Sequence, residues 1–219
     1  MIKIPEKLYP YFEDAGTTYC VRRDGILYMQ GDAAPSVYLI KQGRVRMFYT
    51  ADSGKEITFQ IIGAGQLIGE SAFLTHASRT TNISAITDVI LISCPVERLF
   101  PYMQKSRELN ELVLSLLTDN YHYLCMQLRR LTVYDSYQKV AGYLLDQTEF
   151  SNAETGIIDE TLPYTHEELS VCLNLNRVTV TKILNRFKEK GFVRLGHKKI
   201  QVINRMGLKK MLEPNAPEN

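Results

Sequence analysis

The chain has 219 residues, of which 45% are hydrophobic, and a formal net charge of +2. These values are typical of a globular protein with one large domain or two modest ones. The first residues, MIKIPEKLYPYFED, lack the apolar core of a signal peptide, and no apolar run approaches the length of a membrane span. The composition therefore argues against an exported or membrane protein, and we expect a cytoplasmic protein of two domains with no membrane partner.

The cysteines and histidines are scattered singly, so the sequence suggests neither a disulfide framework nor a metal or iron–sulfur site. They are Cys20, Cys94, Cys125, Cys172, His76, His122, His166 and His197. We therefore expect no bound metal. The sequence also offers no set of nucleophile, base and orienting residue, so we expect that the protein is not an enzyme.

The N-terminal half is predicted to be mostly β. Ile2 to Phe12 should form a short helix broken by Pro5 and Pro10. From residue 19 to residue 98, short alternating runs separated by glycine turns predict a roll or barrel. The strand-like runs are Val37–Ile40, Val45–Tyr49, Ile57–Ile61 and Val89–Ser93.

A long helix is predicted from Ser106 to Thr132, where no glycine or proline intervenes. Six residues alternate by three and four along it, as in a coiled-coil seam of about two and a half heptads. They are Leu114, Leu117, Tyr121, Leu124, Leu128 and Leu131. The alternative is that this stripe packs on the chain's own β domain. A second stripe is available for that contact, formed by Leu109, Leu112, Val113 and Leu116. We therefore favour a parallel homodimer.

Val133-Tyr134-Asp135 interrupts this helical pattern. Asp135 can cap a further helix, because its side chain can accept a hydrogen bond from the amides of the first turn. We expect the interruption to be a hinge between the two domains.

Thr165 to Lys188 has the signals of two short helices that meet at a sharp turn. Thr165 and Glu168 form a capping box, and Asn176 can cap the second helix. The apolar residues of the second helix recur at helical spacing on one face. They are Val180, Ile183, Leu184 and Phe187. We predict a helix-turn-helix.

The opposite face of the second helix carries donors and no acid, which suits the major groove of DNA. The residues expected to contact DNA here are Thr165, Asn176, Arg177, Val178, Thr179, Thr181, Lys182, Asn185, Arg186 and Lys188. The alternative is a solvated basic face on an ordinary helical hairpin. Charge placement favours DNA, because Asn176 to Lys210 is strongly basic with only Glu189 as an acid, whereas residues 147–176 contain no lysine or arginine.

A small hairpin is predicted after this helix. Gly191–Leu195 and Lys199–Ile203 alternate like two strands around Gly196-His197-Lys198. Its tip is basic, and we expect Lys198 and Lys199 to meet DNA phosphates. The sequence therefore predicts a winged helix-turn-helix.

From about Tyr19 to Asn204 the chain resembles the CRP/FNR family of bacterial transcription regulators. The matching motifs are LYMQGD, Tyr38-Leu39-Ile40 with Gly43, Gly54-Lys55-Glu56, Gly69-Glu70 and LNRVTVTKIL, which looks like the family's recognition helix. The resemblance implies an α+β fold with an N-terminal double-stranded β-roll of jelly-roll type, a long dimerisation helix and a C-terminal winged helix-turn-helix. We place them at residues 1–104, 105–134 and 135–219.

Ile68–Leu74 followed by Arg79-Thr80-Thr81 is similar to the phosphate-binding cassette of cyclic-nucleotide domains. A buried phosphate needs a fixed cation and hydrogen-bond donors, and the family resemblance assigns a ribose hydroxyl to the cassette glutamate. The expected effector site is Gly69, Glu70, Ser71, Arg79, Thr80, Leu124 and Cys125. The effector is expected to be cyclic AMP or another small anion.

Alternatives stay open for this pocket. Glu70 and Arg79 could pair with each other and hold a loop that binds nothing or another anion. Base recognition is in question, because Leu124 and Cys125 stand where nucleotide-responsive members carry hydroxyls. An iron–sulfur type is disfavoured, since its N-terminal cysteine cluster is absent, and a haem type would need a ligand such as His76.

We predict a homodimeric transcription regulator that binds an inverted-repeat operator in double-stranded DNA, with RNA polymerase as a further partner. The alternative is a cyclic-nucleotide sensor that acts through protein contacts rather than DNA. The basic segment after Asn176 speaks against that alternative.

Overall fold

A computed structural model describes residues 2–73, 78–155 and 161–213, without the side chains of residues 149–155. The chain divides into two compact units, Met1–Tyr121 and His122–Asn219. The division falls inside the longest helix, so the end of that helix belongs to the C-terminal unit. The predicted three-part division at residues 104 and 134 stays a prediction.

The N-terminal unit contains two antiparallel sheets of four strands each. Its strands are β1 Thr17–Val21, β2 Ile26–Tyr28, β3 Ser36–Gln42, β4 Arg44–Thr50, β5 Glu56–Gly63, β6 Leu67–Ile68, β7 Asn82–Ala85 and β8 Val89–Pro95. The strand orders are β1-β8-β3-β6 and β2-β7-β4-β5. The helices are α1 Tyr9–Ala15, α2 Val96–Lys105 and the first part of α3 Arg107–Thr132, with 3₁₀ turns at Glu6–Leu8 and Glu70–Phe73. The predicted α+β fold class with an N-terminal roll is confirmed.

Strand alternation separates two cores in this unit. On β3, Val37 and Leu39 pack with the helices, whereas Ile40 packs inside the roll. This follows from the period of two along a strand, which sends neighbouring side chains to opposite faces. The predicted second stripe on α3 is buried in the helical core as expected: Leu109, Leu112, Val113 and Leu116 are at most 8% exposed.

All four predicted strand runs lie within observed strands, namely β3, β4, β5 and β8. The sequence did not predict β1, β2, β6 or β7 individually. In β7 the reason is visible: Asn82 is only 1% exposed and its amide donates to Gln30 and to Thr50. A polar residue that points inward breaks the apolar alternation on which strand prediction rests.

The predicted lead-in helix is wrong in its bounds. A 3₁₀ turn at Glu6–Leu8 leads into α1, and Pro10 lies in the first turn of α1 instead of breaking a helix. Proline is tolerated there because the amides of a first turn have no partner within the helix.

The C-terminal unit combines helices with a three-stranded sheet. Its elements are the end of α3, then α4 Ser136–Thr155, β9 Thr161–Leu162, α5 His166–Leu173, α6 Arg177–Glu189, β10 Val193–Gly196, β11 Lys199–Val202 and α7 Arg205–Lys210. The antiparallel strand order is β10-β11-β9. Asp135 caps α4 as predicted, because its Oδ1 accepts a hydrogen bond from Gln138 N at 2.8 Å. Among the described residues, no helix has the length and apolarity that crossing a bilayer requires.

Candidate nucleic-acid interface and effector site

The predicted helix-turn-helix is formed by α5 and α6, and local hydrogen bonds set both helix starts. Thr165 Oγ1 accepts a hydrogen bond from Glu168 N at 3.1 Å, and Glu168 Oε2 accepts one from Thr165 N at 2.7 Å. Asn174 ends α5 at a φ of 50°, in the left-handed region that asparagine tolerates. Asn176 Oδ1 accepts from Val178 N at 2.8 Å and starts α6. Both predicted caps are confirmed.

Helix α6 has one buried face and one exposed face. The predicted apolar stripe is at most 2% exposed and consists of Val180, Ile183, Leu184 and Phe187. The predicted DNA-contact residues that are exposed are Asn176, Arg177, Val178, Lys182, Asn185 and Lys188. Those that are half-buried are Thr165, Thr179, Thr181 and Arg186. The structure therefore places a basic and polar surface on the outside of α6.

Two side chains from α5 hold residues of α6, and sequence reasoning missed both. Glu167 Oε2 lies 3.5 Å from Arg177 Nε, and both side chains remain largely exposed. His166 Nδ1 lies 3.0 Å from Thr181 Oγ1. Burial lowers the pKa of the His166 ring, and the positive charge of Arg177 lowers this pKa further. The sequence did offer one signal: His166 and Glu167 directly follow the Thr165 cap, and the turn between the two helices brings this end of α5 near the start of α6.

Arg186 lies beside a ring that the sequence analysis did not single out. Its guanidinium carbon is 6.0 Å from the centroid of the Tyr137 ring, at the start of α4. Tyr137 in turn packs on Phe187, with ring centroids 6.2 Å apart. An open cleft of about 570 Å³ lies here, lined by Tyr137, Lys182, Asn185, Arg186, Glu189 and Lys190.

The predicted wing is formed by β10 and β11. Gly196 pairs with Lys199, so His197 and Lys198 form the turn. Lys198 has a φ of 52°, and Lys198 and Lys199 are both exposed. The tip therefore presents two cations to solvent.

In the roll, Arg79 is buried and its hydrogen bonds are made to the protein. It is 2% exposed, and its Nη1 and Nη2 donate to the carbonyls of Gly69 at 2.9 Å and of Ser36 at 2.6 Å. Its guanidinium carbon lies 4.3 Å from the Tyr28 ring centroid and 5.4 Å from that of Tyr38. Nε of Arg79 is buried as well but has no hydrogen-bond partner among the described residues.

Gly69 makes this arrangement possible. Its φ is 86°, and a Cβ at this position would lie 2.7 Å from Arg79 Nη1. Glycine is therefore required both by the left-handed backbone and by the close approach of the guanidinium.

Glu70 does not pair with Arg79, which was one of the expected alternatives. Its Oε1 accepts a hydrogen bond from Asn120 Nδ2 on α3 at 3.0 Å. Burial raises the pKa of the Glu70 carboxyl above its ordinary value, and the hydrogen bonds that it accepts offset part of this rise. Asn120 was missed by sequence reasoning, because nothing in the helical pattern marks a polar residue as a pocket contact.

The other predicted effector residues differ in their surroundings. Ser71 Oγ is 3.5 Å from Arg79 Nη1, whereas Thr80 is exposed. Leu124 and Cys125 are exposed residues of the C-terminal unit. Leu74 of the predicted cassette and His76 lie outside the described residues. Within residues 2–73, 78–155 and 161–213, no three His, Cys, Asp or Glu side chains gather as a metal site.

The predicted dimer seam is exposed along α3. Its side chains, from 41% to 71% exposed, are Leu114, Leu117, Tyr121, Leu124, Leu128 and Leu131. A row of exposed leucines is unusual on a soluble helix unless another surface covers it.

Comparisons with known proteins match both units. Residues 20–106 match the model of the cyclic nucleotide-binding domain, and residues 138–211 match that of the Crp-like helix-turn-helix domain. The chain is 26% identical to the cyclic AMP receptor protein of Thermus thermophilus, over 80% of this chain and 79% of the relative. It is 27% identical to the global nitrogen regulator of Nostoc sp., over 82% of each. The solved structure of FixK2 from Bradyrhizobium japonicum has the same fold, with a TM-score of 0.75 at 17% identity, over 91% of this chain and 98% of that one.

Proposed function

Because the chain belongs to the CRP/FNR family of transcription regulators, in which an effector-binding domain is joined to a helix-turn-helix DNA-binding domain, we propose that it binds an inverted-repeat operator as a homodimer. We further propose that a small anionic molecule in the roll controls this binding. RNA polymerase is the expected protein partner at the promoter, and the cytoplasm is the expected location. The family favours this function over that of a sensor that acts only through protein contacts.

The observation that carries the DNA-binding proposal is the surface of α6. Arg177 and Lys182 are exposed on its outer side, and the wing adds Lys198 and Lys199. Helix residues with donors can read base edges, while wing cations neutralise phosphates and release counterions. The chemistry of this surface therefore fits a duplex better than a protein groove.

The proposal of a homodimer is supported by the exposed α3 seam. A single recognition helix contacts few base pairs, so two helices that face successive major grooves, about 34 Å apart, give useful specificity. Two copies of the seam would remove the leucines from water and provide this two-fold arrangement.

The proposed effector would share Arg79 with the protein. An anion would find Nη1 and Nη2 already bonded to the carbonyls of Gly69 and Ser36, at 2.9 and 2.6 Å, whereas Nε has no hydrogen-bond partner among the described residues. Ser71 and Thr80 would add donors, and the Glu70 carboxylate, whose Oε1 accepts from Asn120, has further lone pairs for a ligand hydroxyl. Cyclic AMP is one candidate, since relatives named for it match this chain.

The DNA-binding proposal is tested by operator selection from a random duplex pool, followed by mobility shifts with the selected duplex across a salt series. We expect an inverted repeat and an affinity that falls steeply with salt. The double variant Lys198→Ala/Lys199→Ala should flatten the salt dependence, by a slope of about 0.9 per lost phosphate contact. A pool without enrichment, or a flat salt response, would refute DNA binding.

The effector proposal is tested by calorimetry with cyclic AMP, cyclic GMP and uncharged adenosine. Heat with a cyclic nucleotide but not with adenosine would support an anionic effector, and its loss in Glu70→Gln would locate the site. Heat with adenosine alone would contradict the proposal that the effector is an anion. Absence of heat with all three would exclude cyclic AMP and cyclic GMP as effectors. It would not bear on DNA binding, which is tested separately.

A further inference from the structure

Arg130 of α3 is a charged side chain in the interior of the C-terminal unit. The residue is 1% exposed, and it forms an ion pair with Asp146 of α4, whose side chain is 15% exposed. Buried charges are rare in proteins unless they are paired. Arg130 and Asp146 are not among the residues expected to contact DNA or an effector, so neither proposed activity accounts for the pair.

The surroundings of Arg130 balance its charge and also fix the orientation of its guanidinium. Nη2 donates to the Asp146 carboxylate, and Nη1 donates to Gln127 Oε1 at 2.9 Å. The guanidinium carbon lies 5.3 Å from the centroid of the Tyr143 ring, which is fully buried. A planar fork with one edge on a carboxylate and one face on a ring allows little rotation. The pair therefore joins α3 to α4 in a defined orientation.

Stability alone is a poor reason for such a pair. Removing two charges from water costs free energy, and well-packed apolar residues of similar size often serve as well. Here Arg130 Nε also has no hydrogen-bond partner among the described residues, which adds an unsatisfied buried donor. What an apolar pair lacks is the directional hydrogen bonding of a guanidinium fork, which narrows the range of angles that packing alone allows between two helices.

The connection between α3 and α4 is also packed rather than loose. Tyr134 is 8% exposed, and the Arg129 guanidinium carbon lies 5.1 Å from its ring centroid. A Cβ at Gly142 would lie 3.1 Å from Tyr134 Cε2, so this ring sits directly on α4. The interruption that the sequence suggested as a hinge is thus held against α4 within the C-terminal unit.

These contacts join α3, which carries the seam, to α4, which packs against the recognition helix α6. Arg130 stands between Leu128 and Leu131 of the seam in sequence, and α4 packs against α6. A change in the angle between α3 and α4 would therefore move α6 relative to the two-fold axis of a dimer.

We propose that Arg130 and Asp146 are a positioning pair that fixes the angle between α3 and α4 and thereby sets the half-site spacing that the dimer accepts. This rests on the proposed function, since spacing has meaning only for a dimer on an inverted repeat. The pair acts through α4 and touches no DNA.

The test measures spacing preference separately from folding. Wild type first selects its operator from a random pool, and a second library then carries its half-sites at every separation across one helical turn, about 10 base pairs. The variants are Arg130→Met/Asp146→Leu, which replaces the pair by apolar residues, and Arg130→Lys, which keeps the charge and removes the fork. Circular dichroism shows which variants fold.

We expect wild type to enrich one separation and each folded variant to enrich several. Compared with wild type, each folded variant should prefer the best separation over one that is two base pairs longer by a factor at least about tenfold smaller. This change is the size of a single base-pair mismatch. The salt dependence should not change, because the phosphate contacts are intact. The single variants Arg130→Met and Asp146→Leu should melt at lower temperature than the double variant, since each leaves one buried charge unpaired.

The control is an exposed pair on the same helix. Arg107 Nε lies 2.7 Å from Glu111 Oε1, with side chains 92% and 59% exposed, so Arg107→Gln/Glu111→Gln should retain the single separation. Folded variants of the buried pair that select the same single separation as wild type would overturn the proposal. If wild type enriches no inverted repeat, the proposed function is refuted instead. There would then be no half-site spacing for the pair to set.

Discussion

Asn120 of α3 donates a hydrogen bond to the Glu70 carboxylate of the roll, with Nδ2 and Oε1 3.0 Å apart. This contact joins the pocket region to the helix that carries the exposed seam. A ligand hydroxyl that binds Glu70 would share this carboxylate with Asn120, so the proposed pocket adjoins a contact of the long helix. Glu70 is half-buried, and this burial raises the pKa of its carboxyl.

We predict that Glu70→Gln changes the pH dependence of stability. Burial raises the pKa of Glu70 in the folded protein, so the folded state binds more protons than the unfolded state between the ordinary pKa and the raised one. Wild type should therefore lose stability as the pH rises through this window, and Glu70→Gln should not show that loss. Urea midpoints between about pH 4 and 7 measure it. Exposed Glu97→Gln is the control, and identical profiles for Glu70→Gln and wild type would contradict the prediction.

We predict that Arg79→Ala destabilises the N-terminal unit. Its guanidinium supplies the hydrogen bonds to the buried carbonyls of Gly69 and Ser36, and a methyl group cannot replace them. The Gly69 carbonyl would keep its hydrogen bond from Ala72 N at 3.0 Å, so the loss falls mainly on the Ser36 carbonyl and should cost about 1 to 3 kcal/mol, read as a lower urea midpoint. Arg107→Ala, which breaks an exposed ion pair with Glu111, should cost about 1 kcal/mol or less. An Arg79→Ala protein as stable as wild type would mean that this arginine is not a structural part of the roll.

The sequence predicted the helix-turn-helix well because its signals are local. The Thr165 capping box, the Asn176 cap and the apolar spacing on α6 each act within a few residues, and all three appear in the structure. The same holds for α3, whose two stripes differ in burial as their patterns indicated.

The pocket contacts could not be predicted because they are not local. Arg79 reaches the carbonyl of Ser36, and Glu70 reaches Asn120, across 43 and 50 residues of chain. Tyr28 and Tyr38 read simply as strand aromatics, although their rings lie against the Arg79 guanidinium. The Arg130–Asp146 pair was missed for a related reason, since periodicity assigns an arginine to the surface by default.

We predict that Leu124→Glu/Leu128→Glu yields a monomer. In a parallel dimer these substitutions place like charges across the two-fold axis in a surface that excludes water, which disfavours association. Both leucines are exposed in the single chain, at 58% and 63%, so folding should be retained. Sedimentation gives the mass. Ser115→Glu/His122→Glu adds the same charge away from the seam and should remain dimeric, and a dimeric seam variant would refute the assignment.

We predict that His166 makes the stability of the C-terminal unit fall in mild acid. Burial and Arg177 lower the pKa of His166 below 6.5, so the unfolded chain binds the proton more readily than the folded one. The contribution of this group is therefore fully present above pH 6.5 and is lost as the pH falls through the window below it. Far-ultraviolet circular dichroism at stepped pH should show this loss in wild type and a flatter profile in His166→Gln. His197→Gln, in the exposed wing, should behave like wild type, and a wild-type profile in His166→Gln would contradict the prediction.

The last prediction concerns base reading by the first turn of α6. Arg177 is exposed there, 3.5 Å from the Glu167 carboxylate, and a guanidinium can donate to O6 and N7 of guanine as a bidentate pair. Val178 is 61% exposed and cannot accept a hydrogen bond, but its methyl groups can pack on the methyl group of thymine. We expect one G per half-site from Arg177 and a neighbouring T·A preference from Val178.

Operator selection with wild type, Arg177→Ala and Val178→Glu separates the two residues. Arg177→Ala should erase the G, and Val178→Glu should replace T·A by C·G, because a carboxylate accepts from the N4 amino group of cytosine. Each change should be worth about 1 to 3 kcal/mol at its own position. Lys188→Ala is the control, since losing a phosphate contact should weaken binding to all sequences alike. The same selected sequence from Arg177→Ala, Val178→Glu and wild type would mean that this turn of α6 does not read bases.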